Sequence, residues 1–200
     1  MKRVIRKGVF ETNSSSMHSI VITKESIEGK GDEYDNSYLT KEGFLKIWGS
    51  NLWFGRSPFC ILNTKIAKLE YAIASYLGYK RVRDPQTKEL MKSFGEIASN
   101  IFKDCKGIDF PIDDDRCCGE VDHDSCTLLD RFLTTENISL EEFITNPRYI
   151  VVIDGDEHCV LNNMKKSGLI KTDNIIKEYC DNEYAYDYIH ENDRKRDSFV

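Results

Sequence analysis

The run from Tyr149 to Ile153 constrains the fold of this 200-residue chain more than any other segment. It is almost continuously apolar and rich in β-branched residues, and Asp154 and Gly155 follow it with turn chemistry. A short apolar run bounded by turn residues is typical of a strand that is covered on both faces. We therefore expect this strand to lie in the middle of a sheet.

Two further segments show helical periodicity. Apolar residues recur every three or four positions over 64–77, where Asn63 or Thr64 supplies the N-cap side chain. A second helix is predicted over 85–103, because Asp84 suits the cap and the following proline suits the first helical position. Its predicted buried stripe is Leu90, Phe94, Ile97, Ile101 and Phe102.

Together these signals predict an α+β fold. Strand-like stretches over 3–10 and 18–23 flank a polar loop, and with 149–153 they give a small mixed or antiparallel sheet covered by two main helices. We expect a single domain over 1–190, followed by a charged tail over 191–200 that frays.

Several shorter elements are also predicted. Residues 24–43 are polar and are expected to be an exposed excursion. Residues 44–54 are expected to hold two short strands turned by 49–51, and residues 126–133 a short helix. Ser139 to Glu142 fits a capping box, and the residues around Ile175, Ile176 and Tyr179 favour a helix.

Composition excludes several classes of protein. A hydrophobic fraction of 40% with only 4 Pro and 12 Gly excludes collagen-like and wholly disordered chains. The net charge of -6 gives no strong nucleic-acid signal, and no apolar run is long enough to cross a bilayer. The N-terminus lacks a signal-peptide core, so we expect a cytoplasmic protein whose seven cysteines are reduced. The sequence identifies no cofactor.

The first candidate site is the loop between the first two strands. It concentrates carboxylate, amide, hydroxyl and imidazole groups: Glu11, Asn13, Ser14, Ser15, Ser16 and His18. Such a loop has more hydrogen-bonding capacity than a turn requires. Three interpretations stay open: a solvated Ser-rich loop, a site for phosphate or a nucleotide, and covalent catalysis. In the second and third, a histidine near its ordinary pKa of about 6.5 moves a proton.

The second candidate site is the stretch 117–126. It combines Cys117, Cys118 and Cys126 with Asp122 and His123, and the earlier Cys105 lies within reach in the sequence. Three interpretations stay open here too: a polar loop with buried thiols, a zinc site, and catalytic use of His123. Because the cysteines form no Cys-x-x-Cys pair, we expect no metal.

Three separate segments of the chain resemble a family of proteins. The segment from Val9 to Ile20 resembles the opening of an uncharacterised family of small proteins from Gram-positive bacteria and their phages, which share a Phe-Glu-Thr-Asn-Ser-Ser-Ser-x-His-Ser loop. Asp122 with His123 matches the family's later Asp-His pair, and the strand at 149–153 matches its Tyr-Ile-Val-like strand. The resemblance implies that the loop and His123 belong to one site, in a phage or mobile-element setting.

Two functions follow as hypotheses. The first is a cytoplasmic hydrolase or transferase that acts on a phosphate-bearing or nucleotide-like small molecule. Its ligand-binding residues are Asn13, Ser14, Ser15, Ser16 and Asp122, and its catalytic residues are Glu11, His18 and His123. The alternative is a non-catalytic phage or mobile-element protein that binds and inhibits a host macromolecule, with a host protein as the candidate partner, through Trp48, Trp53, Phe54 and the excursion 24–43.

Overall fold

Helices and an antiparallel sheet make up the computed structural model, which confirms the α+β class. It describes residues 17–27, 38–55, 60–122, 127–154, 168 and 171–180. The strands are β1 Met17–Thr23, β2 Leu45–Lys46, β3 Trp53–Phe54, β4 Cys60–Leu62, β5 Ile108–Asp109, β6 Ile112–Asp113, β7 Arg116–Cys117, β8 Glu120–Val121, β9 Tyr149–Asp154 and β10 Ile175–Cys180. The α-helices are α1 Lys65–Leu77, α2 Pro85–Ile101, α3 Leu128–Glu136 and α4 Leu140–Thr145.

The main sheet has the strand order β10-β1-β9-β4, and each neighbouring pair is antiparallel. The position of β9 inside this sheet confirms the prediction for residues 149–153. Ile150 and Val151 are fully buried and have their side chains on opposite faces, which explains why the run is apolar at every position. Strand β1 pairs with β9 in the register Ile20 opposite Val151.

Both main helices begin where the sequence predicts. The Thr64 hydroxyl accepts the Ala67 N–H at 3.1 Å, and the Asp84 carboxylate accepts the Gln86 N–H at 2.9 Å. Helix α2 ends at Ile101, two residues before the predicted boundary, and Phe102 is its C-cap. The whole predicted stripe of α2 lies in the core or packs against it.

The two smaller predicted helices are also confirmed. Helix α3 begins two residues later than predicted and extends further, to Glu136. The Ser139 hydroxyl accepts the Glu142 N–H at 3.0 Å, which is the N-cap half of the predicted capping box, and α4 ends before Pro147.

One predicted element is wrong. The residues around Ile175, Ile176 and Tyr179 form strand β10 instead of a helix, because they pair with β1 along the edge of the main sheet. Their spacing suits either element, and pairing with a buried strand decides between them.

The short strands at 44–54 exist, although their connection differs from the expected turn. A 3-10 helix over Gly49–Leu52 separates β2 from β3. The two strands then pair in parallel with different partners, β5 and β8, instead of with each other.

Some predictions fall outside the described residues. The strand at 3–10 and the tail at 191–200 are among them, as is the middle of the excursion, 28–37. Within the part of the chain that is described, no helix is both long enough and apolar enough to cross a bilayer.

Candidate functional site

His18 is the one histidine of the first candidate site, and it lies in the protein interior. It is on β1 opposite Ile153 of β9, and its exposed fraction is 0%. Alternation along β1 places it on the same face as Ile20, which belongs to the core between the sheet and the helices.

A tyrosine from α1 contacts the imidazole. The His18 Nδ1 lies 3.2 Å from the Tyr71 hydroxyl oxygen, and the two ring centroids are 5.8 Å apart. Tyr71 is itself fully buried, and Phe54 packs edge-on against its ring with centroids 5.3 Å apart. The three side chains come from β1, α1 and β3 and hold one another in place.

Burial determines the charge of His18. It lowers the pKa of the imidazole to about 4, although the nearby Asp122 carboxylate and a hydrogen bond to the Phe54 backbone both favour the cation. His18 is therefore neutral at pH 7, unlike the histidine with a pKa near 6.5 that the sequence led us to expect. Both contacts are satisfied by the neutral tautomer that donates a hydrogen bond to the Phe54 backbone and accepts one from the Tyr71 hydroxyl at Nδ1.

Asp122 links the two candidate sites. It follows β8 directly, its exposed fraction is 7%, and its charge acts on His18. Of the residues predicted for the two sites, the structure thus brings His18 and Asp122 within electrostatic reach of each other. His123, the other member of that pair, lies outside the described residues.

Two glycines allow β8 to approach α1 closely. A Cβ on Gly78 would lie 2.6 Å from the carbonyl oxygen of Ala74 and 2.9 Å from that of Gly119. Gly119 has a φ of 136°, which side chains rarely adopt, and a Cβ there would meet Leu52 at 3.1 Å. Since β8 begins at the next residue, this contact positions Glu120 to Asp122 against α1.

Cys105 and Cys117 are packing residues. Cys105 donates a hydrogen bond to the Gly107 carbonyl, and the buried Cys117 lies against Met91 with 4.0 Å between the sulfur atoms. Burial raises the pKa of the Cys117 thiol, and the neighbouring Cys118 adds to this effect. Among the described residues, no group of His, Cys, Asp and Glu is arranged to hold a metal ion. His123 and Cys126 are not described, so this finding leaves the zinc question a prediction.

The remaining predicted site residues have different positions. Glu11, Asn13, Ser14, Ser15 and Ser16 all lie outside the described residues. Of the predicted contact residues, Trp48 and Trp53 are exposed, with fractions of 56% and 49%. Phe54 was expected at the surface with them and is buried at 6%, because it packs on Tyr71.

Sequence reasoning missed Tyr71 and Glu70. Tyr71 is on the buried side of α1, where its spacing predicts burial but does not indicate a polar partner. Glu70 is half-buried, and burial raises its pKa to about 7 even though Asn51 donates a hydrogen bond to its Oε1 at 3.0 Å. Nothing in the spacing of residues 64–77 distinguishes this carboxylate from a solvated one.

Comparisons with protein-family models, curated proteins and solved structures found no significant match.

Proposed function

We propose that the protein is a hydrolase or transferase that acts on a phosphate-bearing or nucleotide-like ligand in the cytoplasm. The observation that carries the proposal is the electrostatic interaction between two buried side chains, the Asp122 carboxylate and the His18 imidazole. The serines of the loop end at Ser16, two residues before His18, and His123 directly follows Asp122. Covalent continuity therefore ties both candidate segments to one buried cluster, as a shared site requires.

The ligand-binding part of the proposed site is the loop. Asn13, Ser14, Ser15 and Ser16 offer hydroxyl, amide and backbone N–H donors in a row, which is the chemistry that holds phosphate oxygens. Asp122 is the described member of the proposed ligand-binding set.

The proton-transfer part is assigned to His123, with Glu11 as a further carboxylate. His18 takes a positioning role, because a neutral imidazole with a pKa of about 4 has little tendency to take up a proton at pH 7. Its bond to Tyr71 and the charge of Asp122 fix the floor of the site on the rigid sheet and helix.

The test separates binding from turnover. Calorimetric titration with inorganic phosphate, pyrophosphate and ATP measures binding, and release of inorganic phosphate measures turnover. Replacing Ser14, Ser15 and Ser16 together by Ala should weaken binding about tenfold or more, since each charge-assisted hydrogen bond contributes about 1.5–3 kcal/mol. His123→Asn should preserve binding and reduce turnover about 10²–10⁴-fold. Ser93→Ala, at an exposed position of α2, is the matched control.

Absence of binding by all three phosphate compounds, or unchanged binding by the triple variant, would contradict the proposal. The non-catalytic alternative is favoured by the exposure of Trp48 and Trp53. It predicts that a host protein co-purifies with this chain in stoichiometric amount. Trp53→Ala should abolish this binding, and His123→Asn should preserve it.

A further inference from the structure

Trp53 and Tyr79 form an exposed aromatic corner on the outer side of the β3–β8 ribbon. Their ring centroids are 5.9 Å apart and their planes meet at 81°, which is a T-shaped contact between two exposed rings. Their exposed fractions are 49% and 50%. The next residues of the two strands, Phe54 and Val121, pair with each other and are buried on the inner side of the ribbon.

The backbone holds Tyr79 in this position at a cost. Tyr79 follows the end of α1 with a φ of 57°, in the left-handed region that favours glycine and asparagine. Its N–H donates to the Cys117 carbonyl at 3.1 Å, which fixes the strained conformation. A bulky aromatic residue in strained backbone indicates selection for something other than stability.

A carboxylate completes the corner. Glu120 is opposite Trp53 in the parallel register of β3 and β8, so both side chains emerge on the same face. The Tyr79 hydroxyl donates to Glu120 Oε2 at 3.3 Å. The ring faces and the carboxylate carry negative potential, and the three side chains lie together on one exposed part of the surface.

Within the described part of the chain, no cation neutralises this potential. Cations lie over other rings: the Lys46 Nζ is 4.0 Å from the Trp48 ring centroid, and the Lys177 Nζ is 4.6 Å from that of Tyr179. No described Lys or Arg lies over Trp53 or Tyr79, and no described cation forms an ion pair with Glu120.

We propose that Trp53, Tyr79 and Glu120 bind an alkylated ammonium group, such as the head of choline or the side chain of a trimethylated lysine. Two steeply inclined rings and a carboxylate offer contacts from more than one direction, which a rounded cation can use, whereas a flat guanidinium stacks on one face. A primary ammonium is strongly hydrated, and a half-exposed site offers little in return for its lost water. Methylation removes that hydration and leaves the charge for the rings and the carboxylate to recognise.

The proposal does not rest on phosphate chemistry at His18 and Asp122, and its test uses other residues. Tryptophan fluorescence is recorded while the full chain is titrated with choline and, separately, with its neutral isostere 3,3-dimethylbutan-1-ol. Choline should give a saturable change and the isostere should not. A peptide with trimethyllysine, against the same peptide with unmodified lysine, distinguishes a protein source of the ammonium group from a small-molecule source.

Variants locate the site. Trp53→Leu and Glu120→Gln should each weaken choline binding about 2- to 30-fold, the range expected for one cation–π or charge contact. Trp48→Phe is the matched control and should bind as the unmodified chain does, since Lys46 already covers that ring. Tyr79→Asn should lose binding while the melting temperature stays the same or rises, because Asn tolerates the left-handed backbone.

Equal responses to choline and its isostere would overturn the proposal. So would a choline response that survives Trp53→Leu and disappears with Trp48→Phe. NMR detection of the choline methyl groups gives a second readout that does not depend on the removed tryptophan.

Discussion

At the scale of single residues, the His18–Tyr71 pair shows how a polar contact is sustained in the core. Both side chains are fully buried, and the Tyr71 hydroxyl lies 3.2 Å from the His18 Nδ1. An imidazole nitrogen without a partner would pay its full desolvation cost there. The hydroxyl therefore stabilises the fold mainly because it prevents a buried imidazole nitrogen from being left without a partner.

Removing that hydroxyl gives the first stability prediction. Tyr71→Phe should lower the free energy of unfolding by about 1–3 kcal/mol, because the His18 nitrogen loses its partner inside the core. Tyr76→Phe on the same helix is the control, since its hydroxyl contacts the exposed Asp130 at 3.2 Å and should cost about 0.5 kcal/mol or less. Urea unfolding of the two variants measures the difference. Equal losses would mean that the His18 contact carries no special weight.

At the scale of elements, a buried lysine ties α1 to α4. The Lys68 Nζ donates to the carbonyl oxygens of Phe143 and Asn146 at 3.0 and 2.8 Å, at the end of α4. Backbone carbonyls at a helix C-terminus lack intrahelical partners and carry partial negative charge. A six-residue helix gains little from its own propensity, so this cap and the burial of Phe143 and Ile144 hold it in place.

Lys68→Met keeps much of the apolar stem and removes the cap. We expect a loss of about 1–3 kcal/mol in the free energy of unfolding, since the Phe143 carbonyl loses its donor in the interior, whereas the Asn146 carbonyl keeps the Tyr149 N–H. Lys65→Met is the control, because Lys65 is exposed in the first turn of the same helix. The exchange rate of backbone amide hydrogens should increase most in α4. Uniform exchange across α1 and α4 would argue against a local role for the lysine.

The elements also show what sequence could predict. Helices α1 and α2 were predictable because Thr64 and Asp84 are local signals that act on neighbouring N–H groups. Strand β10 was not predictable, because its identity depends on pairing with β1, which is far away in the chain. The parallel pairing of Trp53 with Glu120 is equally non-local.

In the candidate site, too, local features could be predicted from the sequence and contacts between distant segments could not. The sequence singles out His18 and Asp122 by their residue types, and the resemblance alone places their segments together. Neither source predicts that Tyr71 and Phe54 enclose the imidazole, or that burial lowers its pKa to about 4. Desolvation depends on the whole packing around a group, and no short pattern of residues records it.

At the scale of the whole molecule, the buried His18 and the half-buried Glu70 have opposite effects on the dependence of stability on pH. The folded pKa of His18 is about 4 against an ordinary 6.5, so its stabilising contribution is complete above pH 6.5 and is lost as the pH falls toward 4. The folded pKa of Glu70 is about 7 against an ordinary 4.5. The folded state therefore retains a proton that the unfolded chain releases, and stability falls as the pH rises from 4.5 to 7.

Variants that cannot titrate should separate these two effects. The stability advantage of the unmodified chain over His18→Asn should grow by about 3 kcal/mol between pH 4 and pH 6.5, as the size of the pKa shift requires. Its advantage over Glu70→Gln should instead shrink between pH 4.5 and pH 7, because Gln keeps an oxygen for Asn51 and cannot ionise. Chemical unfolding of the three chains across this range measures both slopes, and comparison with the unmodified chain cancels the titration of other carboxylates. If the difference in unfolding free energy between the unmodified chain and His18→Asn did not change with pH, the imidazole would be hydrated in the folded protein. The buried floor proposed for the site would then be wrong.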